Sequence, residues 1–190
     1  MAEKEIRTDR KTTDYQGLSQ KNHALLRSDM YIGSCSNTEF ETLVVEDNKF
    51  ISKTLTLPQG VQRVFLEILS NAGDNVDASR RAGADPGGIR ITADEKTISI
   101  ENGGLHIPVK KVGLEKNQGN TKIIDYVDGM EHWTWLPVFI FGEFRSSSNY
   151  DKNIVNTGCG KNGYGSKLTN LFSKMFQLNI EDPDTKRNFT

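Results

Sequence analysis

Apolar residues recur at helical spacing over residues 60–80, and this pattern identifies the most informative element of the chain. The apolar positions are Val61, Val64, Phe65, Ile68, Leu69, Ala72 and Val76. Because an α-helix turns about 100° per residue, they share one face, which we expect to be buried. Glu67, Asn71 and Asp74 lie together on the opposite face. Two carboxylates and an amide at this spacing can activate a water, hold a metal ion and accept hydrogen bonds from a ligand.

The remaining pattern predicts short helices and strands. Further helices are predicted at 18–26 and 166–172, with an apolar helix or turn over 133–144. Strands are predicted at 42–46 with 53–57, at 89–93 with 97–101, and at 175–180, and an extended segment at 30–33. In the second hairpin, alternation places four isoleucines against the long helix, namely Ile89, Ile91, Ile98 and Ile100. This order predicts an α+β sandwich with helices on one face of a mixed sheet.

Polar segments separate these elements and suggest the domain organisation. Residues 1–14 are charged and predict a flexible N-terminal arm, and residues 15–190 predict one domain. Within that domain, residues 113–132 are rich in Gly, Asn and Asp and predict an insertion loop. Residues 145–151 predict a second polar loop.

Composition narrows the class of protein. The 190 residues carry a net charge of −1, so this segment offers no basic field for a DNA footprint of its own. Cys35 and Cys159 have no metal-ligand spacing, and His23, His106 and His132 lie far apart, which makes a zinc site improbable. Neither a signal peptide nor an apolar run of membrane-spanning length is evident, and we therefore expect a soluble intracellular protein.

A glycine-rich segment is the second candidate for chemistry. Four glycines occur within the eight residues from Gly158 to Gly165, directly before a predicted helix. The backbone amides of such a loop can approach oxyanions closely, and Lys167 just inside the helix could reach a terminal phosphate. The spacing is not that of the P-loop, and a flexible turn uses the same residues. On its own this segment is weak evidence for phosphate binding.

Two other turns carry polar groups but have ordinary explanations. Asn102-Gly103-Gly104 ends a predicted strand, and an ordinary loop after a hairpin explains it equally well. Ser147, Ser148 and Asn149 offer donors for a sugar or phosphate, although a solvated loop has the same composition.

Taken together and in this order, the motifs are stronger evidence for a nucleotide site than each is alone. A helix with Glu-x-x-x-Asn-x-x-Asp, then an Asn-Gly-Gly turn, then a glycine-rich loop that opens a helix resembles the GHKL ATPases. The chain is more closely similar to the ATPase region of eukaryotic-type DNA topoisomerase II. The segments that carry this resemblance are Tyr15-Gln16, 25–34, 67–75, 140–142, 147–151 and 161–168.

The resemblance implies a role for each matching residue. Glu67 would be the general base that polarises the attacking water, and Asn71 would hold Mg²⁺. Tyr15 would reach the nucleotide of a second subunit. The other residues implied to form the ATP site are Asp74, Asn75, Asn102, Gly103, Ser147, Ser148, Asn149, Gly160, Lys161, Asn162, Gly163, Tyr164, Gly165 and Lys167. In the complete enzyme, ATP binding and hydrolysis would close a homodimer gate and drive DNA strand passage.

The chain also departs from the family pattern. Gly103 occupies the position of a polar adenine-reading residue, His106 replaces a glycine, and Ser28 replaces a proline. The segment 113–132 suggests a divergent lineage, viral or protist, so a nuclear or a cytoplasmic, viral-factory location both remain open. The transducer and cleavage regions of the family are absent from these residues, which predicts weak turnover by this chain alone. The alternative is a non-catalytic module that acts in dimerisation or partner binding.

Overall fold

The longest element is the helix α3, Gln59–Arg81. The computed structural model describes residues 17–117, 120–144 and 163–190. The helices are α1 Gln20–Leu26, α2 Asp29–Ile32, α3, α4 Leu136–Gly142 and α5 Gly165–Phe172. The strands are β1 Asn37–Glu46, β2 Lys49–Pro58, β3 Ile89–Ala93, β4 Ile98–Asn102, β5 Lys111–Asn117, β6 Asn120–Asp125, β7 Trp133–Trp135, β8 Ile180–Asp182 and β9 Arg187–Phe189.

The long helix confirms the prediction from apolar periodicity. Ala72 and Val76 are buried, whereas Val61 at the N-terminal end of the same face is 52% exposed. Arg80 and Arg81 occupy the last turn, where positive charge interacts favourably with the helix dipole. Gly83 follows at φ 77°, in the left-handed region that ends helices. None of the helices in the ranges given above is long and apolar enough to cross a membrane.

Strands β1 and β2 form the first predicted hairpin. Asp47 and Asn48 connect them with φ of 49° and 59°, the backbone geometry that a two-residue turn between twisted strands requires. The register runs from Glu46 opposite Lys49 to Asn37 opposite Pro58, so each strand has ten residues and is longer than predicted.

The strands of the described ranges form four antiparallel sheets. The strand orders are β1-β2, β3-β4, β6-β5-β7 and β8-β9. The hairpin β3-β4 confirms the second prediction and contacts α3, but Ile89, Ile91 and Ile98 are 38%, 45% and 51% exposed. The expected burial of these isoleucines against the helix is therefore wrong for three of the four.

The prediction of a loop over residues 113–132 is wrong, because most of this segment belongs to a sheet. Strands β5 and β6 pair from Val112 opposite Asp125 to Asn117 opposite Asn120, and β7 pairs with β5 on the other side. Leu114 lies opposite Ile123, and this cross-strand apolar pair supports the hairpin despite the polar composition of the segment.

Two smaller expectations are also corrected. Residues 30–33 are not extended, because Asp29–Ile32 form the helical turn α2, in which Asp29 is favourably placed in the first turn. The final strand does not cover 175–179; pairing begins at Ile180, where β8 turns back to pair with β9. The predicted helices at 18–26 and 166–172 are confirmed as α1 and α5 within two residues.

The hydrophobic core of the described chain lies where four helices meet. Ala24 of α1, Ile32 of α2 and Leu168 of α5 are buried together. The partly buried residues packed on them are Tyr31, Val64, Phe144, Tyr164, Leu171 and Phe172. This core fixes α5 beside α3 and so determines which side chains meet between the two helices.

The turn after β4 is held on α3 by Ser79, a fully buried serine. Ser79 Oγ donates a hydrogen bond to the Asn75 carbonyl at 2.7 Å and accepts one from the Leu105 amide at 2.8 Å. Gly104 has φ of 95°, and a Cβ at this position would overlap Ser79 Oγ and lie 2.7 Å from Ser79 Cβ. Only glycine therefore fits this close approach.

We predict that Gly104→Ala lowers the free energy of unfolding more than Gly129→Ala does. Gly129 has a similar φ of 89° but open space where a Cβ would be, so its substitution adds backbone strain alone. We expect a difference of about 1–3 kcal/mol between the two variants, because Gly104→Ala also displaces buried Ser79 from its hydrogen bonds. Urea unfolding followed by circular dichroism measures it, and equal losses would contradict the account of the turn.

Candidate functional site

The carboxylate of Glu67 lies against the first residue of α5. Glu67 projects from α3 with 20% of its side chain exposed. A Cβ built on Gly165 would overlap Glu67 Oε2 and lie 3.0 Å from Glu67 Cδ. The absence of a side chain at Gly165 is therefore what allows the backbone at the end of the glycine-rich segment to approach this carboxylate. The structure thus brings together two of the residues that the sequence selected.

Arg63 orients the Glu67 carboxylate from one turn earlier on α3. Its Nη2 lies 2.6 Å from Glu67 Oε1, an i,i+4 ion pair in which the arginine is 59% exposed. The sequence analysis did not identify Arg63 as part of the site, although its spacing from Glu67 is the usual spacing of helical ion pairs. One carboxylate oxygen therefore contacts Arg63 and the other faces Gly165.

Hydrogen bonds fix α5 relative to its neighbours. Thr169 Oγ1 donates to the Val64 carbonyl of α3 at 2.9 Å, and Asn170 Nδ2 donates to the Phe141 carbonyl of α4 at 3.3 Å. These contacts hold the N-terminal end of α5 in place beside Glu67. The amides at a helix N-terminus point outward and favour negatively charged ligands.

Lys167 carries a buried amine in the first turn of α5. The residue is 5% exposed, and burial lowers the pKa of its amine to about 8. Because burial disfavours the charged form, an anion that approaches this amine stabilises the protonated state and gains a strong interaction. The placement is compatible with the phosphate-end role that the resemblance implies for Lys167.

The other polar residues of the α3 face are half-buried, and one of them supports a turn. Asn71 and Asp74 follow Glu67 along the helix. Asn75 Nδ2 donates to the carbonyls of Gly103 and Leu105 at 3.4 Å and 3.1 Å. Asn75 therefore positions the Asn-Gly-Gly turn through its backbone. Direct contact of these residues with a nucleotide stays a prediction.

The Asn-Gly-Gly turn is crowded at Gly103. The Gly103 amide donates to the Pro86 carbonyl at 3.2 Å, and a Cβ on Gly103 would lie 3.0 Å from that oxygen. The Asn102 side chain donates to the Gly103 carbonyl at 3.0 Å. A polar side chain at position 103 would press on Pro86, which gives a physical reason for the glycine found there.

His106 belongs to a cluster that the sequence analysis did not foresee. Its Nε2 lies 3.2 Å from Asp182 Oδ1 and 3.3 Å from Asp184 Oδ2. Asp182 Oδ2 also accepts a hydrogen bond from the Val109 amide at 2.7 Å. Asp182 of β8 therefore holds the segment that follows the Asn-Gly-Gly turn in place through these contacts. No local sequence pattern indicates this contact, because its partners are more than 70 residues apart.

The Asp182 carboxylate stays ionised in this buried position. Burial alone raises the pKa of its carboxyl group, but hydrogen bonds from the Val109 and Thr185 backbone amides outweigh that effect. With smaller contributions from the Thr185 side chain and His106, they lower the pKa to about 2.

Some predicted site residues lie outside the ranges that the structure describes. They are Tyr15, Ser147, Ser148, Asn149, Gly160, Lys161 and Asn162. Of the glycine-rich segment, the structure describes Gly163, with φ of 65°, together with Tyr164 and Gly165.

Comparison with known proteins identifies the family. No protein-family model matches the chain. DNA topoisomerase 2 of Arabidopsis thaliana is 37% identical over 173 residues, which cover 91% of this chain and 10% of the plant protein. DNA topoisomerase 2 of Invertebrate iridescent virus 6 is 35% identical over 178 residues, which cover 92% of this chain and 15% of the viral protein.

Solved structures agree with the sequence relatives. The ATPase region of Saccharomyces cerevisiae topoisomerase II bound to ICRF-187 superposes with a TM-score of 0.73 at 31% identity. The match covers 94% of this chain and 43% of the yeast chain. The ATPase and transducer domains of Balamuthia mandrillaris topoisomerase II match with a TM-score of 0.63 at 31% identity, over 85% of this chain and 37% of that one.

The α+β fold and the arrangement of α3 and α5 define a domain of the GHKL ATPase class. Within that class, the chain belongs with the eukaryotic-type type II DNA topoisomerases and is homologous to their N-terminal ATPase region. It spans 10–15% of the length of these two curated relatives and under half of the solved ATPase regions.

We predict that the free energy of unfolding rises with pH between about 8 and 10.5 because of Lys167. Its pKa is about 8 in the folded chain and near 10.5 in the unfolded chain. Between these values the unfolded chain binds more protons, so raising the pH favours the folded state. The gain is at most about 3 kcal/mol, and the variant Lys167→Met should lack it.

Urea unfolding at a series of pH values measures this effect. Lys174→Met is the matched control, because Lys174 lies on the surface two residues after α5 ends. The control should keep the pH dependence of the wild type. The same pH dependence in Lys167→Met would contradict a buried, destabilised charge at Lys167.

Proposed function

We propose that this chain is the ATP-binding portion of a type II topoisomerase and that ATP with Mg²⁺ binds where the N-terminal end of α5 meets α3. The observation that carries the proposal is the approach of Gly165 to the Glu67 carboxylate, which places a glycine-rich backbone beside a candidate general base. Homology to the ATPase region of type II topoisomerases implies ATP binding and supports the proposal.

Each described residue has a distinct task in this proposal. The Glu67 carboxylate accepts a proton from the attacking water, and Arg63 holds its other oxygen in position. The amides from Gly163 to Gly165 and the Lys167 ammonium bind phosphate oxygens. Asp74, Asn75 and the turn at Asn102 and Gly103 form the base-binding side.

The donor set on α3 suits Mg²⁺. Asn71 offers an amide oxygen one turn from Glu67, and oxygen donors together with substrate phosphates are the ligands that Mg²⁺ prefers. When bound, the ion supplies positive charge that offsets the charge of the phosphate groups. Asn71 is the residue of this chain that would hold it.

The complete enzyme would use this binding to close a homodimer gate on DNA. We propose that Tyr15 reaches the nucleotide of the second subunit and that DNA contacts lie in other parts of the enzyme. A net charge of −1 supports the second point, because this segment cannot neutralise many phosphates. We expect turnover by the isolated chain to be weak, since family members use further residues outside this segment.

A non-catalytic module for dimerisation or partner binding is the second candidate. Gly103 favours it, because this residue cannot offer the side-chain hydrogen bond by which family members read adenine. Loss of one such bond would reduce the binding free energy of adenine by about 1–3 kcal/mol if its buried partner stays unsatisfied, and selection for adenine would be weaker. Calorimetric titration with a non-hydrolysable ATP analogue and Mg²⁺ distinguishes the candidates, because the module would give no heat of binding.

We predict that Glu67→Gln lowers ATP hydrolysis by about 10²- to 10⁴-fold, the contribution typical of a general base, while analogue binding changes little. Single-turnover measurement with protein in excess detects even slow hydrolysis by this chain. The matched control is Glu115→Gln on β5, an exposed glutamate far from α3 in sequence. Hydrolysis by Glu67→Gln at the wild-type rate would refute the assignment of Glu67.

We also predict that Asn71→Ala raises the Mg²⁺ concentration needed for analogue binding by about 10- to 100-fold. Metal affinity falls by a factor of this size when a residue that supports a metal site is removed. Titration of Mg²⁺ at fixed analogue concentration measures the shift. Asn188→Ala, which changes an exposed asparagine on β9, should leave the Mg²⁺ dependence unchanged. An unchanged dependence in Asn71→Ala would remove this residue from the metal site.

A further inference from the structure

Tyr164 connects the end of the glycine-rich segment to the first helix of the described chain. It lies between Gly163, with φ of 65°, and Gly165, which contacts Glu67, and it is the residue from which α5 begins. Gln20 Nε2 of α1 donates a hydrogen bond to the Tyr164 hydroxyl at 2.6 Å. These two side chains are 144 residues apart in sequence.

Aromatic contacts bring the second helix to the same tyrosine. The Tyr31 ring of α2 meets the Tyr164 ring edge-on, with 6.4 Å between their centroids. The Tyr31 hydroxyl in turn lies 2.9 Å from His23 Nδ1 of α1. The Phe144 ring also contacts Tyr164, with a centroid distance of 6.0 Å. Both short helices are therefore positioned through Tyr164.

Helix α1 is short and buries little of its surface. It has seven residues, of which only Ala24 is buried, while Leu25 and Leu26 are 49% and 68% exposed. A helix of this length is unstable by itself in water, so its order depends on tertiary contacts. The contacts at Tyr164 are thus well placed to control whether α1 is folded.

We propose that the Gln20–Tyr164 hydrogen bond transmits nucleotide binding at Gly163 and Gly165 to α1, with Gln20 and Tyr164 acting as positioning residues. The inference rests on the proposed function. Phosphate oxygens bound by the amides at Gly163 and Gly165 restrict the backbone on both sides of Tyr164. When the Tyr164 hydroxyl is already fixed, less conformational entropy is lost as Gln20 binds it. Nucleotide binding therefore stabilises α1, and a folded α1 in return raises the affinity for nucleotide.

Hydrogen exchange of the complete 190-residue chain tests the coupling. Exchange of the α1 amides is measured by mass spectrometry on a peptide covering residues 17–28, without and with Mg²⁺ and a non-hydrolysable ATP analogue. We expect the analogue to slow exchange in α1 by about 2- to 10-fold, the factor that one net hydrogen bond supplies. Calorimetry on the same samples records analogue affinity separately.

Variants of Gln20 isolate the hydrogen bond. Gln20→Leu keeps the size of the side chain but cannot donate, so the analogue should no longer slow exchange in α1. Gln20→Glu can accept a hydrogen bond from the tyrosine hydroxyl and should restore most of the effect. Lys21→Ala, an exposed neighbour on the same helix, should respond as the wild type does.

The outcomes separate this inference from the proposed function. No analogue binding by the wild type would overturn both. Analogue binding without slower exchange in α1 would overturn the coupling alone. The coupling is also overturned if Gln20→Leu retains the wild-type response, because α1 would then respond to nucleotide without the Gln20–Tyr164 hydrogen bond.

Discussion

The approach of the Gly165 backbone to the Glu67 carboxylate is the constraint on which the rest of the site depends. It requires a glycine at the first position of α5 and fixes how closely α5 packs on α3. Thr169 maintains this spacing through its hydrogen bond to Val64, and Leu168 anchors α5 in the core. With α5 fixed in this way, Lys167 is buried in the first helical turn, close in sequence to the carboxylate contact.

The opposite edge of the site is held mainly by hydrogen bonds to backbone groups. Ser79 and Asn75 of α3 bind the turn that contains Gly103 and Leu105. Asp182 binds the Val109 amide farther along. Such contacts are directional, so they determine backbone position more narrowly than apolar packing does. The turn that would face a nucleotide base is therefore set by α3 and β8 together.

Strong local patterns made part of this structure predictable. Apolar periodicity predicted α3, and turn residues predicted the hairpins β1-β2 and β3-β4. The hairpin within 113–132 was missed because Gly, Asn and Asp dominate its composition, although Val112 and Leu114 alternate with non-apolar neighbours along β5 as in a strand. Spacing alone could have revealed the Arg63–Glu67 pair. The contacts of Gln20 with Tyr164 and of His106 with Asp182 join residues more than 70 positions apart, and no local signal indicates such pairs.

The most direct test of the account is a crystal structure of this chain with Mg²⁺ and a non-hydrolysable ATP analogue. We predict that the terminal phosphate lies beside the contact between Glu67 and Gly165, within hydrogen-bonding reach of the backbone amides at Gly163 and Gly165, with the Asn71 amide oxygen on the metal ion. A nucleotide bound elsewhere, or a terminal phosphate remote from Glu67, would contradict the central claim that these groups form one triphosphate site.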